Sequence, residues 1–186
     1  MIYIGLGSNL RGAYADSVSL LRAALVSFSS SFGGEAEAAD SVRVVRCSRF
    51  YSSAAVGPGS QPDYVNAVAQ IETSLSPSAL LAALQGLERQ FGRDRAQEER
   101  WGARTLDLDI LDYRGQIGTN PNIPHPRLPN RAFVLKPLQD IAPAWVHPIT
   151  NEPLAALLSA LLLTLADSGQ DTDCRAIMLD SKAEIG

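Results

Sequence analysis

Hydrophobic and polar positions alternate in four segments of the chain and follow helical spacing in four others. Alternation with a period of two predicts strands, and apolar residues three or four positions apart predict helices. The predicted strands are residues 2–6, 42–51, 64–71 and 105–113. The predicted helices are residues 16–32, 76–91, 132–141 and 153–166.

The first six elements follow in the order strand, helix, strand, strand, helix, strand. This order predicts a ferredoxin-like βαββαβ sandwich of the α+β class, in which one antiparallel sheet carries both helices on one face. The last two helices are predicted C-terminal additions. We expect residues 1–168 to form a single domain and residues 169–186 to form a polar C-terminal tail.

Two carboxylates share one face of the last predicted strand. Asp107 and Asp109 are two positions apart and therefore point the same way, whereas parity turns Asp112 to the opposite face as a strand-end residue. Aspartate is disfavoured in strands, and paired carboxylate oxygens suit Mg²⁺. The pair is therefore a candidate metal site. The alternative is the solvated face of an edge strand.

An irregular segment rich in arginine, residues 92–103, precedes this strand. Arg93, Arg95, Arg100 and Arg104 could bind phosphate oxygens, or they could pair with acidic residues of the same loop. Trp101 is either a packing anchor or a flat lid over an aromatic ligand. A second long irregular loop is predicted at residues 52–62. Loops of this length inside a compact domain are often functional, so both loops are candidate parts of a site.

Two further places combine aromatic and polar side chains. Tyr64 and Asn66 share a strand face, so a ring for stacking and an amide that can bind a heterocycle would lie side by side. They could equally be an ordinary strand tyrosine and a turn asparagine. His125 lies near the run Asn130-Arg131-Ala132-Phe133, although a lone histidine is more often structural.

Composition narrows the class of ligand. The 186 residues carry a net charge of −4, which does not favour nonspecific binding to nucleic acid, yet the arginines are concentrated in one stretch. This contrast indicates a small anionic ligand. Without a long apolar run, a signal peptide or a cysteine framework, we expect a cytoplasmic protein that needs neither a membrane nor an obligate protein partner.

Several motifs occur together in a characteristic order. They are Gly7-Ser8-Asn9, Gln61-Pro62-Asp63-Tyr64-Val65-Asn66, Arg100-Trp101-Gly102-Ala103-Arg104-Thr105-Leu106-Asp107-Leu108-Asp109, Pro124-His125 and Asn130-Arg131-Ala132-Phe133. In these motifs the chain resembles the 6-hydroxymethyl-7,8-dihydropterin pyrophosphokinase family over about residues 1–153. That family has the ferredoxin-like fold that the periodicity predicts.

The resemblance implies an activity in folate biosynthesis. The family transfers the terminal pyrophosphoryl group of ATP to the hydroxymethyl oxygen of the pterin and releases AMP. By resemblance, Asp107 and Asp109 hold two Mg²⁺ ions, while Arg93 and Arg104 assist the transfer. The implied pterin contacts are Ser53, Ala55, Val56, Tyr64, Asn66, Trp101 and Phe133. The implied ATP contacts are Gln85, Glu88, Arg95, Arg100, Ile110, His125 and Arg131.

Four residues, at three places in the chain, depart from the family pattern. Ala54-Ala55 stands where many relatives carry two prolines, Gln97 lies near a position often occupied by lysine, and Pro126 follows His125 where an aromatic residue is sometimes found. Each affects a loop residue and leaves the predicted metal and pterin sites in place.

Two other functions would require different structures. A nucleotide-sugar transferase also uses Asp-X-Asp to hold a metal, but it predicts a larger, doubly wound parallel sheet. A ferredoxin-like RNA-binding module predicts basic residues and stacking aromatics on an open sheet face. The carboxylates of the fourth strand argue against the second alternative.

Overall fold

A computed structural model describes residues 1–31, 42–55, 60–93, 102–168 and 174–177. Its strands are β1 (Ile2–Ser8), β2 (Val42–Cys47), β3 (Tyr51–Ser53), β4 (Tyr64–Thr73), β5 (Asp107–Tyr113), β6 (Gly118–Thr119), β7 (Asn122–Ile123) and β8 (Arg175–Ala176). Its α-helices are α1 (Ser17–Ser31), α2 (Pro77–Gln90), α3 (Ala132–Ile141) and α4 (Leu154–Asp167). A 3₁₀ turn at Leu128–Asn130 precedes α3.

One antiparallel sheet organises the molecule. Its strands follow the order β5-β1-β4-β3-β8, and β2 also pairs with β4. The predicted α+β class and ferredoxin-like arrangement are confirmed. The parallel sheet required by the nucleotide-sugar transferase alternative is absent from the described strands.

Helices cover both faces of the sheet. On one face, α1 and α2 bury residues such as Leu21 and Leu84 against Ile4 of β1. On the other face, α3 and α4 cover residues that include Val68 of β4, with Leu135 in the same cluster. The C-terminal additions thus occupy the face that an RNA-binding module would leave open. No helix among the described residues is long and apolar enough to cross a membrane.

Helix α2 begins within one residue of the start of the predicted helix at residues 76–91. The Ser76 side chain accepts a hydrogen bond from the backbone N–H of Ala79, and Pro77 occupies the first turn. Leu80 and Leu84 lie on its buried face. Because the helix packs on β5, its last turn lies beside the strand that carries the paired aspartates.

The predicted strand at residues 42–51 is in fact two strands, β2 and β3. At the break, the Ser48 hydroxyl accepts a hydrogen bond from the Val68 N–H at 2.9 Å and donates to the Arg49 carbonyl at 2.7 Å. A serine side chain that bonds nearby backbone competes with regular strand pairing. The alternation of residue types does not reveal this contact.

The prediction that Asp112 points to the opposite face of the strand from Asp107 and Asp109 is wrong. The pairing of β1 with β5 shifts between Tyr3 and Ile4, so Asp112 pairs with Tyr3 and faces the α3–α4 side. Its carboxylate accepts hydrogen bonds from Trp145 Nε1 at 2.7 Å and from the Gly115 N–H at 2.8 Å. A bulge of this kind reverses parity, and simple alternation cannot predict it.

Candidate active site

The paired aspartates begin β5 and point to one side of it. Asp107 lies opposite Gly7 of β1 and Asp109 lies opposite Gly5. Their side chains are 26% and 37% exposed, so both can reach a ligand. A Cβ atom at Gly7 would lie 3.5 Å from Asn66 Oδ1 and 3.8 Å from the Asp107 Cβ, so glycine keeps this space open.

Two arginines bind the Asp107 carboxylate. Arg93 Nη1 lies 2.5 Å from Oδ1, and Arg104 Nη1 lies 3.2 Å from Oδ2. Arg93 is 7% exposed, whereas the Arg104 side chain is 27% exposed. The first arginine is therefore fixed within the protein, and the second can also meet a ligand.

Glu88 forms a buried ion pair with Arg93. The Glu88 residue is 1% exposed, and its Oε1 contacts Arg93 Nη1 and accepts a hydrogen bond from the Leu108 N–H at 2.9 Å. Arg93 also donates to the Leu106 carbonyl at 3.3 Å. A buried charge needs such compensation, and here the ion pair joins the end of α2 to β5.

Asp109 faces a different pair of basic side chains. Its Oδ2 lies 3.6 Å from both His125 Nε2 and Arg131 Nη1. Burial lowers the pKa of His125 despite the opposing effect of Asp109. Because His125 Nδ1 accepts a hydrogen bond from the Arg127 N–H, a neutral ring carries its proton on Nε2, toward Asp109.

A cavity of about 180 Å³ opens beside the carboxylates. It is lined by Gly7, Ser53, Ala54, Tyr64, Asn66, Gly102, Arg104, Asp107, Arg127, Arg131 and Phe133. A smaller hollow continues over Asp109 and shares Asn66, Asp107 and Phe133 with the first. The aspartates therefore border an open, concave space, which is the usual setting of a small-molecule site.

Polar side chains on the cavity wall hold one another in place. Asn66 Nδ2 donates to Ser53 Oγ at 2.8 Å, and both residues are buried. The Tyr64 hydroxyl donates to the Gly102 carbonyl at 3.2 Å. Elsewhere on the lining, the Arg131 guanidinium lies 5.4 Å from the centre of the Phe133 ring. The lining thus presents both an oriented amide and an aromatic ring.

Asn9 joins the two loops that border the site. Its Oδ1 accepts a hydrogen bond from the Arg104 N–H at 2.6 Å, and its Nδ2 donates to Gln61 Oε1 at 3.3 Å and to the Pro62 carbonyl at 3.2 Å. Asn9 belongs to the Gly7-Ser8-Asn9 motif, whose residue types alone indicate no role for it. Its contacts span more than fifty residues of sequence, which local patterns do not encode.

The structure brings most of the predicted site residues together. Those around the carboxylates and the cavity are Arg93, Arg104, Asp107, Asp109, His125, Arg131, Ser53, Tyr64, Asn66 and Phe133. Glu88 is beneath them, and Gln85 is half-buried on α2. The predicted residues Val56, Arg95, Arg100 and Trp101 lie outside the described residues.

Three observations refine the predicted set. Ala54 lines the cavity, whereas Ala55 is not among its lining residues. The Ile110 side chain is buried in the core on the α1–α2 face, so only its backbone could contact ATP. Arg127, which the sequence analysis did not select, also lines the cavity. Its place two residues after His125, in a polar and aromatic patch, was a usable signal.

The sequence of the chain is similar to those of known pterin pyrophosphokinases. The family model described as 7,8-dihydro-6-hydroxymethylpterin-pyrophosphokinase (HPPK) matches residues 3–143. The 2-amino-4-hydroxy-6-hydroxymethyldihydropteridine pyrophosphokinase of Haemophilus influenzae is 47% identical over 148 residues, or 78% of this chain and 84% of the relative. Its namesake from Pseudomonas aeruginosa is 43% identical over 144 residues, which cover 76% and 80% of the two chains.

Solved structures agree at the level of the fold. Wild-type HPPK-DHPS of Plasmodium falciparum, crystallised with SDX-DHP, superposes with a TM-score of 0.68 at 12% identity. The match covers 96% of this chain and 48% of that one, so the chain spans about half the length of this structural neighbour. The family match and the two enzyme relatives confirm the resemblance found in the sequence, and the chain belongs to the 7,8-dihydro-6-hydroxymethylpterin-pyrophosphokinase family.

Proposed function

We propose that the chain transfers the pyrophosphoryl group of ATP to the hydroxymethyl oxygen of 6-hydroxymethyl-7,8-dihydropterin, releasing AMP for folate biosynthesis. Its enzyme relatives carry the name of this activity. The observation that carries the proposal is the cavity that runs from Tyr64 and Asn66 to Asp107. A heterocycle site and a candidate metal and phosphate site are therefore one continuous space.

The donor set at β5 fits magnesium. Asp107 and Asp109 offer hard carboxylate oxygens on one face, and phosphate oxygens and water would complete the coordination. When bound, Mg²⁺ would neutralise and orient the triphosphate. We propose that Asp107 and Asp109 hold two such ions.

The charge of the site supports this ligand. Arg93, Arg104 and Arg131 lie within ion-pair distance of Asp107 or Asp109. Together with Glu88, the two aspartates give three negative charges, which equal the three positive charges of these arginines. ATP carries roughly four negative charges and two magnesium ions carry four positive ones, so the full ligand set would also be close to neutral.

Arg104 and Arg93 have different proposed roles, because one is partly exposed and the other is buried. Arg104 is partly exposed beside Asp107, so it can move its guanidinium to a phosphate oxygen of the transferred group and neutralise charge there. Arg93 stays buried between Glu88 and Asp107 and fixes the carboxylate. We therefore propose Glu88 as a residue that positions Arg93, in place of the ATP contact that the resemblance implies.

The cavity walls fit the pterin. Its flat ring would lie between Tyr64 and Phe133, and Asn66 would bind its polar edge. With the ring held there, the hydroxymethyl oxygen faces Asp107. The oxygen forms a bond to the β-phosphorus as the bond from that phosphorus to the oxygen of the α-phosphate breaks; AMP leaves with that oxygen, and the hydroxyl proton passes to solvent water. Catalysis on this account is positioning and charge neutralisation.

We propose a cytoplasmic location, with ATP and the pterin as the ligands. Cys47 and Cys174 are free thiols, which suits a reducing compartment. A net charge of −4 gives no support to binding of nucleic acid.

Product analysis tests the proposed activity. Purified protein incubated with ATP, Mg²⁺ and the hydroxymethyl dihydropterin is expected to form AMP, measured by ion-exchange chromatography. The matched control omits the pterin, and AMP should then stay at background. ADP as the nucleotide product, or AMP that forms equally well without the pterin, would contradict the proposal.

A further inference from the structure

A short segment near the C-terminus, residues 174–177, completes the sheet beside the cavity. Its strand β8 pairs antiparallel with β3, and the Ile177 N–H donates to the Phe50 carbonyl at 2.8 Å. The segment lies beyond residues 3–143, which the family model matches. It falls within the predicted polar tail, because a two-residue strand leaves no periodic pattern in the sequence.

The same segment also contacts α3. Cys174 is buried in a small cluster with Tyr51 of β3 and Ala132 of α3. The Lys136 ammonium on α3 donates to the Cys174 carbonyl at 2.7 Å. Residues 174–177 therefore join two elements that are far apart in sequence.

Both of those elements carry residues that line the cavity. Ser53 ends β3 and holds Asn66 through its hydroxyl, and Phe133 follows Ala132 at the start of α3. A shift of either element would change the distance between the amide and the ring. The carboxylates lie on β5, at the other end of the strand order from β8.

We propose that residues 174–177 are a positioning segment for the pterin, which sets the spacing between the Ser53–Asn66 wall and the Phe133 wall. This inference rests on the proposed placement of the pterin in the cavity. The segment does not touch the substrate. Its effect is selective because it braces the pterin walls and not the strand that binds ATP and metal.

The Ile177→Pro variant tests the segment in the full chain, because proline removes the N–H that bonds to Phe50. Ile177→Ala keeps that N–H and is the matched control. We expect Ile177→Pro to raise KM for the pterin about three- to ten-fold, the effect of roughly one hydrogen bond. KM for ATP and kcat should stay within about two-fold of the wild type, and Ile177→Ala should change the pterin KM less.

A second variant covers the case in which Ile177→Pro does not fold. Lys136→Met removes the bond to the Cys174 carbonyl and should raise the pterin KM in the same direction, again without a matching rise for ATP. An unchanged pterin KM in the folded variants, or an equal rise in both KM values, would overturn the inference.

Phe133→Ala separates this inference from the proposed pterin site. If Phe133→Ala raises the pterin KM and the segment variants do not, the positioning segment alone is wrong. If Phe133→Ala leaves the pterin KM unchanged, the cavity is not the pterin site, and both proposals fail.

Discussion

Replacing Asp109 with asparagine is expected to lower kcat by at least about 10²- to 10³-fold and to weaken the Mg²⁺ dependence of ATP binding. Asparagine keeps the shape of the side chain and removes the anionic oxygen that the proposed metal needs. The fold should survive, because Asp109 is partly exposed and its two basic neighbours lie 3.6 Å away. Steady-state kinetics across a Mg²⁺ titration, with calorimetry of ATP binding, measure the effect.

Asp167→Asn is the matched control for this prediction. It makes the same chemical change at an exposed position at the end of α4. Its kcat and Mg²⁺ dependence should equal those of the wild type. If Asp109→Asn behaves like Asp167→Asn, Asp109 is not a metal ligand.

Replacing Arg93 with alanine is expected to damage both stability and turnover. Glu88 would then be buried without its cation, and breaking a buried ion pair in this way costs about 3–5 kcal/mol. The Asp107 carboxylate would lose its closest partner, so kcat should fall about 10²-fold or more. Urea unfolding gives the free energy of unfolding, and initial rates give kcat.

Arg104→Ala provides the comparison for Arg93→Ala. Arg104 is partly exposed, so its loss should change the free energy of unfolding by no more than about 1 kcal/mol while kcat still falls. The double variant Arg93→Met with Glu88→Gln should recover stability, because both charges are gone, but not turnover. Equal stability of Arg93→Ala and Arg104→Ala would show that the Glu88–Arg93 pair does not support the fold.

The periodicity of the sequence predicted the strands and helices whose formation depends on neighbouring residues. The alternation around Asp107 and Asp109 placed both carboxylates on one face, and the helical spacing at residues 76–91 predicted α2. The resemblance supplied the identity of the cavity residues, and residues such as Tyr64 do line a cavity beside the carboxylates. The roles of these residues remain predictions.

Long-range contacts account for what the sequence did not reveal. The break between β2 and β3 depends on Ser48 meeting β4, and the orientation of Asp112 depends on its register with Tyr3. The support of Arg93 by Glu88 requires the end of α2 to meet β5. Strand β8 forms by pairing with the edge of β3. Each of these features is decided by a partner distant in sequence.

Phosphorus NMR of the reaction product tests the central claim most directly, namely that one site joins a nucleotide and a pterin for pyrophosphoryl transfer. The account predicts two coupled phosphorus resonances on the pterin product and one AMP for each molecule formed. A pterin monophosphate formed together with ADP would contradict it, as would AMP accompanied by free pyrophosphate and unmodified pterin.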